Sequence, residues 1–195
     1  GATPYYVSGT WTEQYDLTYV AGGPPISDES FVGRANISYR PSDHIDTIVD
    51  AWRQGYEKEL GVMPPEAVTH AALEHDDDRM VVHYFQPHAP YIGERRLREE
   101  IPDIETGSDK KIEKRQESIL DIYEKIESGE ISENELQDVY RSNLQRVMEA
   151  VKPLVAETDR PIVITSDHGE LIGEDGRYLH GGLPHKILCE LPWFE

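Results

Sequence analysis

The most informative stretch of this chain is Ile162-Val163-Ile164-Thr165-Ser166-Asp167-His168-Gly169-Glu170. Its β-branched, uncharged first half follows Arg160-Pro161 and predicts a central strand of a sheet. Asp167 and His168 would then leave the sheet at its carboxyl edge, where open α/β sheets place their ligand sites, and Gly169 allows a sharp turn there. A carboxylate beside an imidazole suits a divalent metal such as Mn²⁺, Mg²⁺, Ca²⁺ or Zn²⁺, whereas an acidic surface loop is the simpler alternative.

A longer pattern surrounds this pair. The segment TSDHGELIGEDGRYLHGG covers residues 165–182 and is followed by Pro184, Lys186 and Glu190-Leu191-Pro192-Trp193. The combination resembles the carboxy-terminal signature of the sulfatase-like branch of the alkaline phosphatase superfamily. The resemblance implies that Asp167 and His168 are metal ligands, that His180 is a further ligand or substrate contact, and that Lys186 contacts the anionic group.

A second segment favours the same interpretation. The run Met80-Val81-Val82-His83-Tyr84-Phe85 predicts a short strand, and it leads into Gln86-Pro87-His88-Ala89-Pro90-Tyr91, where proline cannot continue a ladder. A His-x-Pro-Tyr turn after a strand resembles the one that presents a histidine to sulfate or phosphate oxygens in the same family. The resemblance therefore implies that His88 binds substrate, and a structural loop histidine is the alternative. His83 lies within the strand and is predicted to be a hydrogen-bonded core residue.

The amino-terminal segment departs from the family pattern. Members of the superfamily carry a Ser, Thr or formylglycine nucleophile and further acidic ligands after a first strand, whereas this chain opens with residues 1–9, which resemble a later strand. No Cys lies near the start, so a formylglycine nucleophile is excluded in this chain. The early hydroxyl residues lack a neighbouring carboxylate cluster, and none is predicted to be the nucleophile: Thr3, Ser8, Thr10 and Thr12.

Alternating strand and helix patterns predict a three-layer α/β/α architecture, which the resemblance also implies. We expect one sulfatase-like domain over residues 1–195, incomplete at its amino terminus, with a helical excursion at about 108–130. Strands are predicted at 17–20, 46–49 and 80–85, and helices at 65–74, about 110–127 and from Ser132, where Glu135 completes a capping-box pattern. The last helix has a predicted core-facing stripe, and Pro153 is expected to kink or shorten its final turn. That stripe comprises Leu136, Val139, Tyr140, Leu144, Val147, Met148 and Val151.

The composition is strongly acidic. The 38 Asp and Glu residues outnumber 19 Lys and Arg residues and leave a formal charge of −19, which makes nucleic acid and anionic membranes poor partners. Dispersed acidic residues, with Arg favoured over Lys, are typical of a protein from a salt-rich cytoplasm. The single cysteine, Cys189, excludes an internal disulfide and is predicted to be a buried thiol.

Two classes of function remain open at this stage. The first is a metal-dependent hydrolase or transferase of small sulfate or phosphate esters, with the nucleophile unassigned. The second is a non-catalytic remnant that serves as a binding or interaction domain. Neither the ester, the metal, the acceptor nor the oligomeric state follows from fold-level resemblance.

Overall fold

A computed structural model of the chain describes residues 3–27, 29–32, 38–75, 77–97, 122, 124–180 and 185–195. Its helices are α1 (Thr3–Thr10), α2 (Ala51–Gln54), α3 (Pro65–Leu73), α4 (Glu133–Glu157) and α5 (Lys186–Cys189). The strands are β1 (Tyr15–Ala21), β2 (Phe31–Val32), β3 (Ser38–Tyr39), β4 (Ile45–Val49), β5 (Met80–His83), β6 (Ile164–Thr165), β7 (Leu171–Ile172), β8 (Tyr178–Leu179) and β9 (Trp193–Phe194).

A small parallel sheet organises the first part of the chain. Its strand order is β4-β1-β5, with Val20 of β1 in register with both Val49 and Val82. Alternate residues of β1 enter different cores, since Tyr19 packs with Val7 of α1 whereas Val20 packs with Val68 of α3. Burial on both faces explains the nearly continuous apolar pattern of β1. The α/β class and the strands predicted at 17–20 and 46–49 are confirmed.

The long helix α4 begins where its sequence predicted. The Ser132 hydroxyl accepts a hydrogen bond from the Glu135 amide, which satisfies one of the free N–H groups of the first turn. The helix continues past Pro153 to Glu157, so the proline does not end it. The core-facing stripe is only partly as predicted, because Leu144 and Met148 are more than 40% exposed while Ser142 and Asn143 are buried. Ser142 and Asn143 make the polar contacts described below, while Leu136, Val139 and Val147 of the stripe are buried as predicted.

The central position predicted for the strand at 162–165 and the strand expected within residues 1–9 are wrong. The run 162–165 forms only the two-residue strand β6, which pairs antiparallel with β9 and does not belong to the three-stranded sheet, and Val163 is 44% exposed. Residues 1–9 were expected to resemble a strand, yet Thr3–Thr10 is helical, consistent with proline in the first turn of a helix. An apolar β-branched run thus specified extended backbone without specifying a central position.

The remaining predictions have mixed outcomes. Helix α3 confirms the prediction at 65–74, and β5 confirms the start, though not the full length, of the strand at 80–85. Cys189 is exposed rather than buried, because the short helix α5 turns Leu188 inward instead. Most of the excursion expected at 108–130 lies outside the described residues. Among the helices described, none is both long and apolar enough to cross a bilayer.

Candidate functional site

The site begins at the carboxyl end of the central sheet. His83 is the last residue of β5, and its Nδ1 lies 2.8 Å from the Tyr19 hydroxyl on the adjacent strand β1. Its Nε2 faces Asp167 Oδ2 at 3.8 Å. His83 is thus hydrogen-bonded, as predicted for a core residue, but it also borders the predicted metal pair.

The turn after β6 presents Asp167 and His168 to the same region. Asp167 Oδ1 accepts the His168 amide at 3.0 Å, and Oδ2 accepts the Thr3 hydroxyl at 2.7 Å. His168 Nε2 lies 3.6 Å from the same Oδ2, so the two predicted ligands face each other. Gly169 does not adopt a left-handed backbone; its hydrogen is needed because a Cβ would lie 2.0 Å from the Ile187 carbonyl oxygen.

The hairpin formed by β7 and β8 brings in a third pair of side chains. Leu171 is in register with Leu179, so the flanking residues Glu170 and His180 emerge side by side. Glu170 Oε2 lies 2.7 Å from His180 Nδ1. Two short apolar pairs separated by a Gly-containing loop predict such a hairpin, and that signal in residues 171–179 would have placed Glu170 in the site.

His88 completes the cluster from the loop after β5. Its ring centroid lies 4.9 Å from that of His180, which in turn lies 4.3 Å from that of His168. One ligand atom each from His88, Glu170 and His180 lie within 4.8 Å of one another. The structure therefore brings together four of the five residues predicted for the site: Asp167, His168, His88 and His180.

Hydrogen bonds to carbonyl groups set the tautomers of two histidines. His88 Nδ1 lies 2.9 Å from the Ala89 carbonyl oxygen, and His168 Nδ1 lies 2.9 Å from the Gly169 carbonyl oxygen. Because a carbonyl only accepts, each Nδ1 carries a proton, and in the neutral form of each ring the lone pair is at Nε2. This arrangement, an Nδ1–H bonded to a carbonyl with Nε2 as the donor atom, is common in metal-bound histidines.

The histidines and carboxylates are shielded from solvent. The side chains of His168 and His83 are 10% and 22% exposed, and Asp167 lies between them at 15%. Burial lowers the pKa of His83; the Asp167 carboxylate opposes this effect and His168 adds to it. His83 is therefore neutral near pH 7, so that one of its ring nitrogens keeps a lone pair for a metal or for the phenol proton of Tyr19.

Tyrosines line the carboxylates. Burial raises the pKa of Tyr6, and the nearby Asp167 carboxylate raises it further. Burial also raises the pKa of Tyr140, and Glu170 and Asp167 act in the same direction. The phenols stay protonated and uncharged, so the negative charge of the site comes from the carboxylates, and it favours a cation.

Two residues occupy positions that the sequence did not indicate. Lys186, a predicted anion contact, is 76% exposed on α5 and pairs with Glu190 at 3.5 Å. Thr3, which the sequence gave no reason to choose, contacts Asp167 across 164 positions. No local pattern signals such a long-range contact.

Comparisons with known proteins identify no relative of this chain. No protein-family model matches the chain, and searches of curated proteins and of solved structures return no significant match.

Proposed function

We propose that this chain carries the metal-binding part of a sulfatase-like, metal-dependent hydrolase or transferase of small sulfate or phosphate esters. The observation that supports it is the convergence of Asp167 and His168 with His88 and His180, from three separate segments of the chain. Segments far apart in sequence that converge on a shielded set of carboxylates and imidazoles are typical of catalytic sites.

Asp167 and His168 are the proposed ligands of a divalent cation. They supply one carboxylate oxygen and one imidazole nitrogen with its lone pair at Nε2, a donor set that suits Zn²⁺ or Mn²⁺. His83 adds a neutral imidazole 3.8 Å from the carboxylate. When bound, such a cation withdraws negative charge from ester oxygens.

His88 and His180 are the proposed contacts to the anionic group of the ester. Glu170 holds His180 through Nδ1, so that ring directs Nε2 away from the carboxylate. In their protonated forms both imidazoles neutralise oxygen charge, and either one supplies a proton to the leaving alcohol.

We propose Thr3 as the nucleophile, a role for which the sequence alone had not predicted it and which adds to the metal-binding part of the site. It stands in the first turn of α1, and its hydroxyl proton points at Asp167, which orients the oxygen lone pairs away from that carboxylate. Displacement at phosphorus or sulfur needs such a positioned oxygen next to charge-neutralising groups. Ser8, by contrast, bonds its hydroxyl to the Pro4 carbonyl of its own helix.

A second location for the cation has independent support. His88, Glu170 and His180 form a compact three-ligand set, and metal bonds of about 2.0–2.2 Å would draw their donor atoms closer together. In that case Glu170 is a ligand as well as the partner of His180.

The experiment that tests the function measures metal binding first and turnover second. Titration calorimetry with Mn²⁺ and with Zn²⁺, in high salt, compares the wild-type chain with Asp167→Asn, His168→Ala and Glu170→Ala. The same proteins are assayed on aryl phosphate and aryl sulfate esters. We expect one tight metal equivalent that Asp167→Asn and His168→Ala abolish; loss in Glu170→Ala alone assigns the cation to the second location.

The matched control is His70→Ala, which removes a histidine that is 80% exposed on α3. It should bind metal like the wild type. A wild-type chain that binds no divalent metal, or ester hydrolysis that survives replacement of both Asp167 and His168, contradicts the proposal. Metal binding without turnover of either ester favours the non-catalytic binding domain.

A further inference from the structure

Asn143 is fully buried in the middle of α4, an unusual position for a carboxamide. Its Oδ1 accepts the amides of Ile92 and Gly93 at 2.7 and 2.8 Å. Its Nδ2 lies 3.1–3.2 Å from three carbonyl oxygens of the loop after β5, those of Pro87, His88 and Pro90. One side chain thus contacts the backbone on both sides of His88.

The loop needs this particular chemistry. The loop follows the end of β5, and the prolines at 87 and 90 lack the N–H groups with which a strand ladder would continue. The carbonyls of Pro87, His88 and Pro90 therefore find no partners in such a ladder. Carbonyl groups require a donor, and the Ile92 and Gly93 amides require an acceptor. A carboxamide provides both from one buried position, with its two Nδ2 protons shared among three carbonyls.

The contacts of Asn143 lead directly to the His88 ring. The His88 ring is fixed to its own loop by the Nδ1–H bond to the Ala89 carbonyl, so its direction follows that of the backbone. Asn143 fixes that backbone at His88 itself and at the residues on either side of the His88–Ala89 pair. Movement of the loop would therefore move Nε2 relative to His180.

The neighbours of Asn143 hold a different part of the loop. Ser142 Oγ accepts the Arg95 amide, and Arg146 donates to the Ile92 carbonyl while pairing with Glu66. These bonds lie after Tyr91, whereas those of Asn143 extend back to residue 87. Ser142 therefore offers a matched comparison on the same helix.

The same helix also supports the opposite side of the site. Leu136 and Val139 pack with Ile172 and Tyr178 of the β7–β8 hairpin, which carries Glu170 and His180. Helix α4 thereby sets the position of the His88 loop relative to that hairpin.

We infer that Asn143 is the positioning residue that presents His88 to the site, through its hydrogen bonds to both sides of the loop over residues 87–93. The effect of Asn143 on anion binding rests on the proposed function, in which His88 contacts the ester anion. The position of the His88 ring itself is measurable without any activity.

The test uses the full chain and three variants. Asn143→Leu removes donor and acceptor; Asn143→Asp keeps an acceptor for Ile92 and Gly93 but turns a carboxylate oxygen toward three carbonyls. Ser142→Ala is the control, because it removes a buried hydrogen bond from the same helix without touching residues 87–90. Circular dichroism and thermal unfolding establish which variants fold. If Asn143→Leu does not fold, Asn143→Asp is the variant that tests the inference.

The first readout is long-range ¹H–¹⁵N NMR of the imidazoles at alkaline pH, with His88 assigned through His88→Gln. In the wild type and in Ser142→Ala, we expect His88 in the single tautomer protonated at Nδ1. In the folded Asn143 variants the ¹⁵N shifts of His88 should move toward the average of the two tautomers, while those of His168 stay unchanged. A His88 spectrum that is unaltered in a folded Asn143 variant overturns the inference.

The second readout is titration with inorganic phosphate in the presence of Mn²⁺. We expect the Asn143 variants to bind phosphate about 10- to 100-fold more weakly, the range found for residues that orient a ligand from outside, with unchanged Mn²⁺ affinity. Equal phosphate affinity in wild type and Asn143→Asp contradicts the inference. If wild-type His88 does not respond to phosphate at all, the proposed function loses its support, and the tautomer readout still decides the role of Asn143.

Discussion

Thr3 Oγ1 donates a hydrogen bond of 2.7 Å to Asp167 Oδ2, joining two residues that are 164 positions apart. The bond ties the first turn of α1 to the turn after β6. Since β6 has no place in the central sheet, this contact and that of His83 with Asp167 help to link Asp167 to that part of the fold. The bond therefore helps to hold the Asp167 turn against α1.

Replacing Thr3 by Val should separate the contribution of the Thr3 hydroxyl from that of side-chain packing. Valine keeps the shape but leaves a shielded carboxylate oxygen without its donor, which costs about 1.5–3 kcal/mol. For a chain of this size each kcal/mol lowers Tm by roughly 2–4 °C. Calorimetry should show this loss for Thr3→Val and little change for Thr3→Ser, which retains the hydroxyl. If Thr3 is the nucleophile, Thr3→Val also abolishes ester turnover; undiminished turnover would exclude that role.

If the cation occupies the second location, where His180 is a ligand, Glu170 should influence Zn²⁺ binding through His180. Its carboxylate holds Nδ1 at 2.7 Å, and removal of such a partner typically weakens metal binding about 10- to 100-fold. We expect Glu170→Ala to lie within this range and Glu170→Gln to be milder, because the amide oxygen still accepts from Nδ1. Asp175→Asn is the control, since it removes an exposed carboxylate from the same hairpin loop and Asn tolerates its left-handed backbone. Equal Zn²⁺ affinity in Glu170→Ala and Asp175→Asn would show that Glu170 does not support the site.

How much of this architecture is local in origin can be judged from particular elements. Strand β1, helix α3 and the Ser132 cap follow from short local patterns: a nearly continuous apolar run, proline in the first turn and a hydroxyl at an amino terminus. The position of β6 and the contact of Thr3 depend on which distant segments meet. Local sequence carries no record of such pairings.

The inward face of α4 shows the same limit. Apolar spacing assigned Leu144 and Met148 to the core, yet both are substantially exposed, whereas Ser142 and Asn143 are buried. Ser142 and Asn143 meet the demand for hydrogen-bond partners at the His88 loop, where unpaired buried backbone groups would cost about 1–3 kcal/mol each. That demand is visible only once the loop and the helix are in contact.

Two glycines should respond in opposite ways to alanine. A Cβ at Gly169 would lie 2.0 Å from the Ile187 carbonyl oxygen, and because that atom is backbone, α5 or the Asp167–His168 turn must shift. We expect Gly169→Ala to lose about 1–3 kcal/mol and to weaken metal binding. A Cβ at Gly9 meets nothing within 4 Å, so Gly9→Ala in α1 should keep or slightly raise Tm. Thermal unfolding of the two variants side by side checks this; equal Tm values would refute the close approach at Gly169.

Salt should stabilise the fold, because the formal charge of −19 causes repulsion between acidic groups, which lie closer together in the folded than in the unfolded chain. The Debye length falls from about 10 Å at 0.1 M to about 3 Å at 1 M salt, so KCl screens this repulsion progressively. We expect Tm to rise with KCl over that range. A variant in which the exposed residues Asp16, Glu57 and Glu59 become amides should start from a higher Tm at low salt and respond less steeply. Sucrose, which carries no charge, is the control for general solvent exclusion, and it should raise both proteins equally. A salt response of the same slope in both proteins would show that general charge repulsion does not limit the stability of this chain.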